Sequence, residues 1–355
     1  MLSSSSRQQS ACVESARPDN TANAATVTHD RLTIHELIDN TALAEAEQDT
    51  VDDVVTGLQS SPKTLPPRYF YDERGSALFE QICALPEYYL TRTETSILQE
   101  FAAAIAAKTG PCDIIELGSG SSTKTRLILD AYAGQTPFIY CPIDVSASIL
   151  KASAEALLED YSHLEIHGLV STYEQALNQL PPRANPHRMI CFIGSTLGNL
   201  PPSACRQFLQ QVRAALQPGD YFLLGVDLQK PVALLEAAYN DTQGVTAAFN
   251  LNMLRHLNRR FNGDFDLAQF EHQAFYNREQ HQVEMHLRSR MAQTVRLKAI
   301  DFTVDFAAGE TIRSEISRKF AQEDIKQTLL AQHLNPLTGW TDPNQWFAVT
   351  LAQAV

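Results

Sequence analysis

The segment Asp113-Ile114-Ile115-Glu116-Leu117-Gly118-Ser119-Gly120-Ser121-Ser122-Thr123-Lys124 decides the reading of this chain. A short β-branched run ends in an acid, breaks into two glycines one residue apart, and restarts as a helix at about Thr123. A buried parallel strand feeding a glycine turn and a helix is how open α/β sheets bring backbone up to a nucleotide-like ligand. Outward from this segment, strand and helix alternate. Strands are expected near 113–117, 138–143, 164–170, 189–193 and 221–226. Helices are expected near 123–133, 146–159, 172–179 and 202–216, the last entered through Pro201 and Pro202. The alternation predicts an α/β class with a parallel sheet and right-handed crossovers.

The flanks carry weaker patterns. Residues 1–45 are expected to be an extension, disordered or partly helical, with short amphipathic helices over 31–60 around Ile34, Leu37 and Ile38. The Pro-rich stretch 61–67 is a rigid link. Thr91 or Thr93 is expected to cap a helix whose buried stripe is Ile97, Leu98, Phe101 and Ile105 and which Gly110 ends. Residues 231–260 read as helices, 281–300 as a β-hairpin or paired strands with Val283, Met285 and Leu287 alternating, and 310–320 as extended. Residues 345–354 read as a last strand buried on both faces.

Composition narrows the function classes. The net charge of −13 disfavours nucleic acid as a partner, because phosphate binding needs a basic surface. No apolar run approaches the length of a membrane span. The six cysteines form no C-x-x-C pair and read as free thiols of a cytoplasmic protein. The histidines show no metal-ligand spacing, so no metal is expected. A small-molecule substrate and a monomer are the expectation.

The glycine turn lacks the third glycine of the dinucleotide fingerprint; Thr123 stands in its place. That favours S-adenosyl-L-methionine over a nicotinamide cofactor, and a methyltransferase over an NAD-dependent oxidoreductase. Asp144 closes the next strand, where an acid accepts from both ribose hydroxyls, or else caps the following helix. Gly118 and Gly120 let backbone approach a ligand. Lys124 either reaches the donor's carboxylate or is a solvated helix residue, and Thr172 and Tyr173 either meet the adenine or merely open a helix.

Five segments belong together: Tyr71-Asp72…Gly75-Ser76-x-Leu78-Phe79, Leu85-Pro86-Glu87-Tyr88-Tyr89-Leu90-Thr91-Arg92-Thr93-Glu94, Glu116-Leu117-Gly118-Ser119-Gly120, Gly194-Ser195-Thr196-Leu197-Gly198-Asn199-Leu200, and Ile312-Arg313-Ser314-Glu315-Ile316-Ser317. From about residue 50 onward the chain resembles the S-adenosylmethionine-dependent L-histidine Nα-methyltransferases of ergothioneine biosynthesis, which make hercynine with three donors per product. The resemblance implies a Rossmann-like class I methyltransferase sheet of seven strands, from 94–229 and 320–355. It also implies a second, α+β substrate-binding domain from 46–93 and 230–319. It implies a donor site that includes Glu116 with the residues above. Asn199 and Tyr239 match the pair at the substrate carboxylate; Tyr71, Phe79, Tyr88 and Gly194 match positions around the amine; Met285, Glu315 and Ser317 match those facing the imidazole. Tyr71 is expected to orient the amine. The spacing of the last group has its own physical sense, since Glu315 and Ser317 fall on one side of an extended segment and suit the two ring nitrogens. Taken singly, Asn199 would be a turn residue, the tyrosines half-buried aromatics, Met285 plain core and Glu315 a surface strand residue. A relative acting on tryptophan or tyrosine is the nearest alternative. Two departures stand out: Thr172 replaces the usual acid of the adenine loop, and Ser195 a common second glycine.

Overall fold

A computed structural model describes residues 26–37, 51–120 and 122–355. Strands β1 (Thr26–His29) and β2 (Leu32–Glu36) come first. Helix α1 covers 51–59, strand β3 is Lys63–Thr64, and helices α2 (Glu73–Ala84) and α3 (Tyr89–Thr109) follow. The alternating run is β4 (Cys112–Leu117), α4 (Thr125–Tyr132), β5 (Phe138–Asp144), α5 (Ala147–Asp160), β6 (Leu164–Val170), α6 (Tyr173–Leu177), β7 (His187–Phe192), α7 (Pro202–Ala215) and β8 (Tyr221–Asp227). Helices α8 (Val232–Tyr239) and α9 (Val245–Phe261) precede strands β9 (Phe270–Asn277), β10 (Gln282–Ser289), β11 (Gln293–Leu297), β12 (Phe302–Phe306) and β13 (Thr311–Arg318). Helix α10 (Gln322–Leu330) and strands β14 (Leu334–Thr341) and β15 (Phe347–Ala354) end the chain.

The main sheet has the order β1-β2-β6-β5-β4-β7-β8-β15-β14. The pairs from β2 to β8 are parallel, while β15 and β14 return antiparallel. Its centre is covered on both faces, so β4 and β8 are buried at every position rather than at alternate ones. On one face Ile114, Tyr140, Met189 and Leu223 pack with Ile97, Ile128 and Leu150 of the helices. On the other, Ile115, Cys141, Ile190 and Phe222 pack with Phe208 and Leu209 of α7. This is the expected α/β, Rossmann-like architecture. The glycine turn, Asp144 and Gly194 all lie at the carboxyl ends of β4, β5 and β7, the edge where such sheets bind ligands.

A second sheet, β3-β13-β10-β9, has its own core with α1, α2, α8 and α9, including Val54, Leu78, Leu235, Phe249, Leu257, Val283 and Ile312. The two sheets meet where β8 ends. Phe320 donates its amide to the Asp227 carbonyl and accepts from Gln229, so the chain beyond β13 is stitched to the end of β8.

Several local expectations fail. Among the described residues the sheet has nine strands, because β1 and β2 extend the expected seven. Ile34 and Leu37 do not lie on a helix: Leu32 and Ile34 are buried on one face of β2, which pairs with β6, and Ile38 falls outside the described residues. Thr91 and Thr93 are not caps; α3 already begins at Tyr89, and both hydroxyl-bearing residues bond within it or lie along it. Of the two readings of 281–300, the hairpin fails and paired strands hold, since β10 pairs with β9 and β13 while β11 pairs with β12. The register of β10 puts Val283, Met285 and Leu287 together on one buried face.

Candidate active site

The glycine turn is built to leave backbone bare. Gly118 (φ +75°) and Gly120 (φ +49°) both occupy left-handed backbone, and Gly118 donates to the Ile143 carbonyl at 2.8 Å. A Cβ on Gly118 would lie 2.7 Å from the Tyr173 hydroxyl, whereas one on Gly120 would meet nothing within 4 Å. Asp144 accepts from the Gly120 amide at 3.1 Å and the Ser146 amide at 2.9 Å, so it ties the turn to the end of β5. The cap of α5 is Ser146, not Asp144. Thr172 caps α6, and Tyr173 stands edge-on to Phe192 and Phe208 with its hydroxyl at the turn. Beside these groups the Ser119 hydroxyl is buried without a hydrogen-bond partner. A bare turn, an acid at the next strand end and an unpartnered hydroxyl fit a ligand with amide-accepting and hydroxyl groups.

Glu116 faces protein. It is buried and accepts from Thr125 Oγ1 and Tyr140 Oη, each at 2.5 Å, so it clamps the start of α4 to β4 and β5. Burial outweighs those bonds and pushes its carboxyl up to about 7. Lys124 is half-buried and not alone. It pairs with Glu94, a fully buried acid on α3 whose two oxygens also accept from the Gly194 amide at 2.8 and 2.9 Å. The sequence reading missed the role of Glu94. Its signal was position: an acid on the same stripe of α3 as Ile97, Leu98 and Phe101.

The positions expected at the amine form an aromatic wall. Tyr71 meets Phe79 (centroids 5.9 Å) and Phe249 (5.8 Å), Phe79 meets Tyr88 (6.4 Å), and Tyr88 meets Tyr239 (6.3 Å). Tyr71 is 47 % exposed, yet its hydroxyl lies deep among protein groups, and that burial raises its proton affinity together with Glu315 and Tyr173. Surface of this kind belongs to a side chain on a cleft wall. Among the described residues neither the Tyr71 nor the Tyr88 hydroxyl has a hydrogen-bond partner. The loop carrying Tyr71 is fixed from behind: Asp72 caps α2 through the Gly75 amide and accepts from Asn252, and a Cβ at Gly75 would lie 1.6 Å from the Phe70 carbonyl oxygen. Phe249, which completes the wall from α9, was not anticipated.

The ring-end positions lie on one face of β13 and β10. Glu315 stands opposite Met285 and Ser317 opposite Val283, and Met285 is buried. Asn199 donates to Glu315 Oε1 at 3.2 Å, and Tyr239 donates to Ser317 Oγ at 2.8 Å. The pairs expected at opposite ends of the substrate thus touch each other in this arrangement. Burial pushes Glu315 up to about 7, against the pull of Lys319. Behind Ser317 lies a buried group that the sequence reading missed, made of Lys319, Asp227, Lys230 and Tyr89. Among the described residues no cluster of metal-ligating side chains occurs, and no helix is long and apolar enough to cross a membrane.

Comparison with known proteins adds the chemistry. A family model described as histidine-specific methyltransferase, SAM-dependent, matches residues 50–354. The chain is 45% identical over 301 residues to a histidine N-alpha-methyltransferase of Mycolicibacterium smegmatis, covering 84% of this chain and 93% of that one. It is 32% identical to ergothioneine biosynthesis protein 1 of Neurospora crassa, covering 83% of this chain and 34% of that longer protein. A 4-dimethylallyltryptophan N-methyltransferase of Epichloe festucae var. lolii is 29% identical, covering 84% of this chain and 93% of its own.

Proposed function

The chain belongs to the SAM-dependent, histidine-specific methyltransferase family, and we propose that it methylates the α-amino nitrogen of L-histidine three times to give hercynine, in ergothioneine biosynthesis. The observation that carries the substrate is the shared face of Glu315 and Ser317, an acceptor and a hydroxyl on one wall of an aromatic cleft. Imidazole offers two polar edges to such a pair. Indole offers one N–H and no acceptor, and a phenol carries its oxygen elsewhere, so either ring would leave a buried polar group unpaired at a cost of about 1–3 kcal/mol. That is the ground for preferring histidine over tryptophan or tyrosine.

S-adenosyl-L-methionine supplies a methyl group on a sulfonium, open to in-line displacement. On the chain's side, Gly118 and Gly120 admit the donor, Asp144 receives its ribose hydroxyls, and Thr172 and Tyr173 flank its adenine. Glu116 holds the turn in shape from within, and Lys124, oriented by Glu94, meets the donor's carboxylate. One Asn199 amide hydrogen serves Glu315 and leaves the other for the substrate carboxylate, while the single Tyr239 hydroxyl hydrogen is committed to Ser317 at the ring end. Glu315, Ser317 and Met285 hold the ring. With both ends held, the nitrogen stays aimed past Gly194 in every round.

Around that nitrogen the chain supplies mostly ring surface. The Tyr71 hydroxyl orients the neutral amine, and burial keeps that hydroxyl protonated, so the amine's proton leaves to water before attack. As methyl groups accumulate, hydrogen bonding at the nitrogen disappears and the faces of Tyr71, Phe79 and Tyr88 remain to hold a cation. Incubation with each standard amino acid and labelled donor tests the reading. Label should enter histidine, and mass spectrometry should find a gain of three methyl groups; preferential labelling of tryptophan or tyrosine would replace histidine as substrate.

A further inference from the structure

The pocket face of β13 continues past Ser317. Lys319 follows two residues on, and its ammonium reaches back to the same hydroxyl. The side chain is 0% exposed, and its three N–H groups meet three acceptors: Asp227 Oδ2 at 2.8 Å, Tyr239 Oη at 3.0 Å and Ser317 Oγ at 2.8 Å. We propose that Lys319 is a positioning residue for substrate recognition, which fixes the Tyr239 and Ser317 hydroxyls so that Ser317 presents its hydrogen to the ligand ring. The inference rests on the histidine reading above and deepens it.

Donor counting carries the argument. A serine oxygen has two lone pairs and one hydrogen. Tyr239 donates to one lone pair of Ser317 and Lys319 to the other, so the Ser317 hydrogen is left for the cleft. Ionised Glu315, one step along the same face, only accepts. The wall therefore shows one donor and one acceptor, which is the pattern of a neutral imidazole, with its lone-pair nitrogen at Ser317 and its N–H at Glu315. Without the Lys319 ammonium, Ser317 regains a lone pair and the bond between the two hydroxyls can run either way. The wall then loses its fixed pattern, although every group that touches the ligand is still there.

The charge at Lys319 is secured. Burial works against it, but Asp227 and Tyr239 outweigh that and raise its proton affinity. Asp227 is not dependent on Lys319 in return, since Lys230 and the Tyr89 hydroxyl also hold it. Removing the Lys319 ammonium leaves no orphaned buried carboxylate, the usual reason such a variant fails to fold.

The test is Lys319→Met, assayed beside the wild type on histidine and on β-(2-thienyl)alanine, a ring without either nitrogen. The expected result is a rise of roughly tenfold or more in KM for histidine, from the loss of one oriented hydrogen bond. The preference for histidine over the thienyl analogue should shrink by the same factor, with kcat changed far less and donor affinity by calorimetry unchanged. An unchanged histidine KM in a folded variant overturns the proposal. So does an equal loss for both amino acids accompanied by weakened donor binding, which marks a structural role. Lys319→Gln serves as the second variant, and failure of both to fold likewise overturns it. A wild-type enzyme that does not methylate histidine refutes the substrate reading instead.

Discussion

Replacing Glu315 by alanine removes the acceptor on which histidine selectivity is proposed to rest. Among the described residues the Glu315 carboxylate has one side-chain donor, Asn199 at 3.2 Å. A hydrogen bond to a charged group contributes about 1.5–3 kcal/mol, and each 1.4 kcal/mol is tenfold, so KM for histidine should rise about ten- to a hundredfold. Donor affinity should stay within about twofold, because nothing Glu315 touches holds the donor. Glu315→Gln keeps the shape but loses the charge, and should fall between. Neither change should destabilise the fold near pH 8. A carboxyl raised from 4.5 to about 7 binds its proton more tightly in the folded state. It therefore takes stability away as pH rises from about 4.5 to about 7. The same shift makes the ionised, accepting form the major one only above about 7, so KM should fall as pH rises through that point, and Glu315→Gln should lose part of this dependence. Initial rates with labelled donor and calorimetry on the free enzyme measure all of this. A Glu315→Ala variant with wild-type KM for histidine would refute the ring-anchor role outright.

Three other perturbations follow from the geometry. Asp144→Ala removes the proposed ribose acceptor together with the tie from β5 to the Gly120 amide, and should weaken donor binding by more than about tenfold; wild-type affinity in calorimetry would take Asp144 out of the site. Glu94→Ala leaves Lys124 and the Gly194 amide without their acceptor, which should cost about 3 kcal/mol of stability and weaken donor binding; chemical denaturation with no loss would show the pair to be dispensable. Glu116→Gln removes a buried carboxyl raised to about 7, so it should flatten the loss of stability that this group causes between about pH 4.5 and 7; superimposable melting curves across that range would rule the group out as a source.

The main sheet was legible because its strands are buried on both faces. A run such as Phe138-Ile139-Tyr140-Cys141 has few other places to go, and turn residues mark its ends. The periphery was not legible for the same physical reason in reverse. Thr33 and His35 alternate with Leu32 and Ile34, a pattern too short to separate strand from helix until the open edge of β6 claims it. Residues 281–300 alternate as a hairpin would, but alternation does not name the partner strand, and the partners of β10 both lie outside that stretch: β9 just before it and β13 beyond β12.

The site divides along a similar line. Residues whose task is fixed by local chain geometry could be found from sequence: two glycines at positive φ, an acid at a strand end, two side chains two apart on a strand. What stayed hidden were the groups that aim those residues, because their meaning lies in a contact and not in a pattern. Glu94 looks like a helix acid until Lys124 and the Gly194 amide converge on it. Lys319 continues the alternation of Glu315 and Ser317, yet alternation gives no reason for a lysine to be buried there; Asp227, at the end of β8, is the reason. Such charges are costly to bury and are tolerated only when every N–H finds an acceptor. Lys319 meets that condition with two hydroxyls of the proposed substrate wall, so the requirement that keeps it folded is also what fixes the pattern the ligand meets.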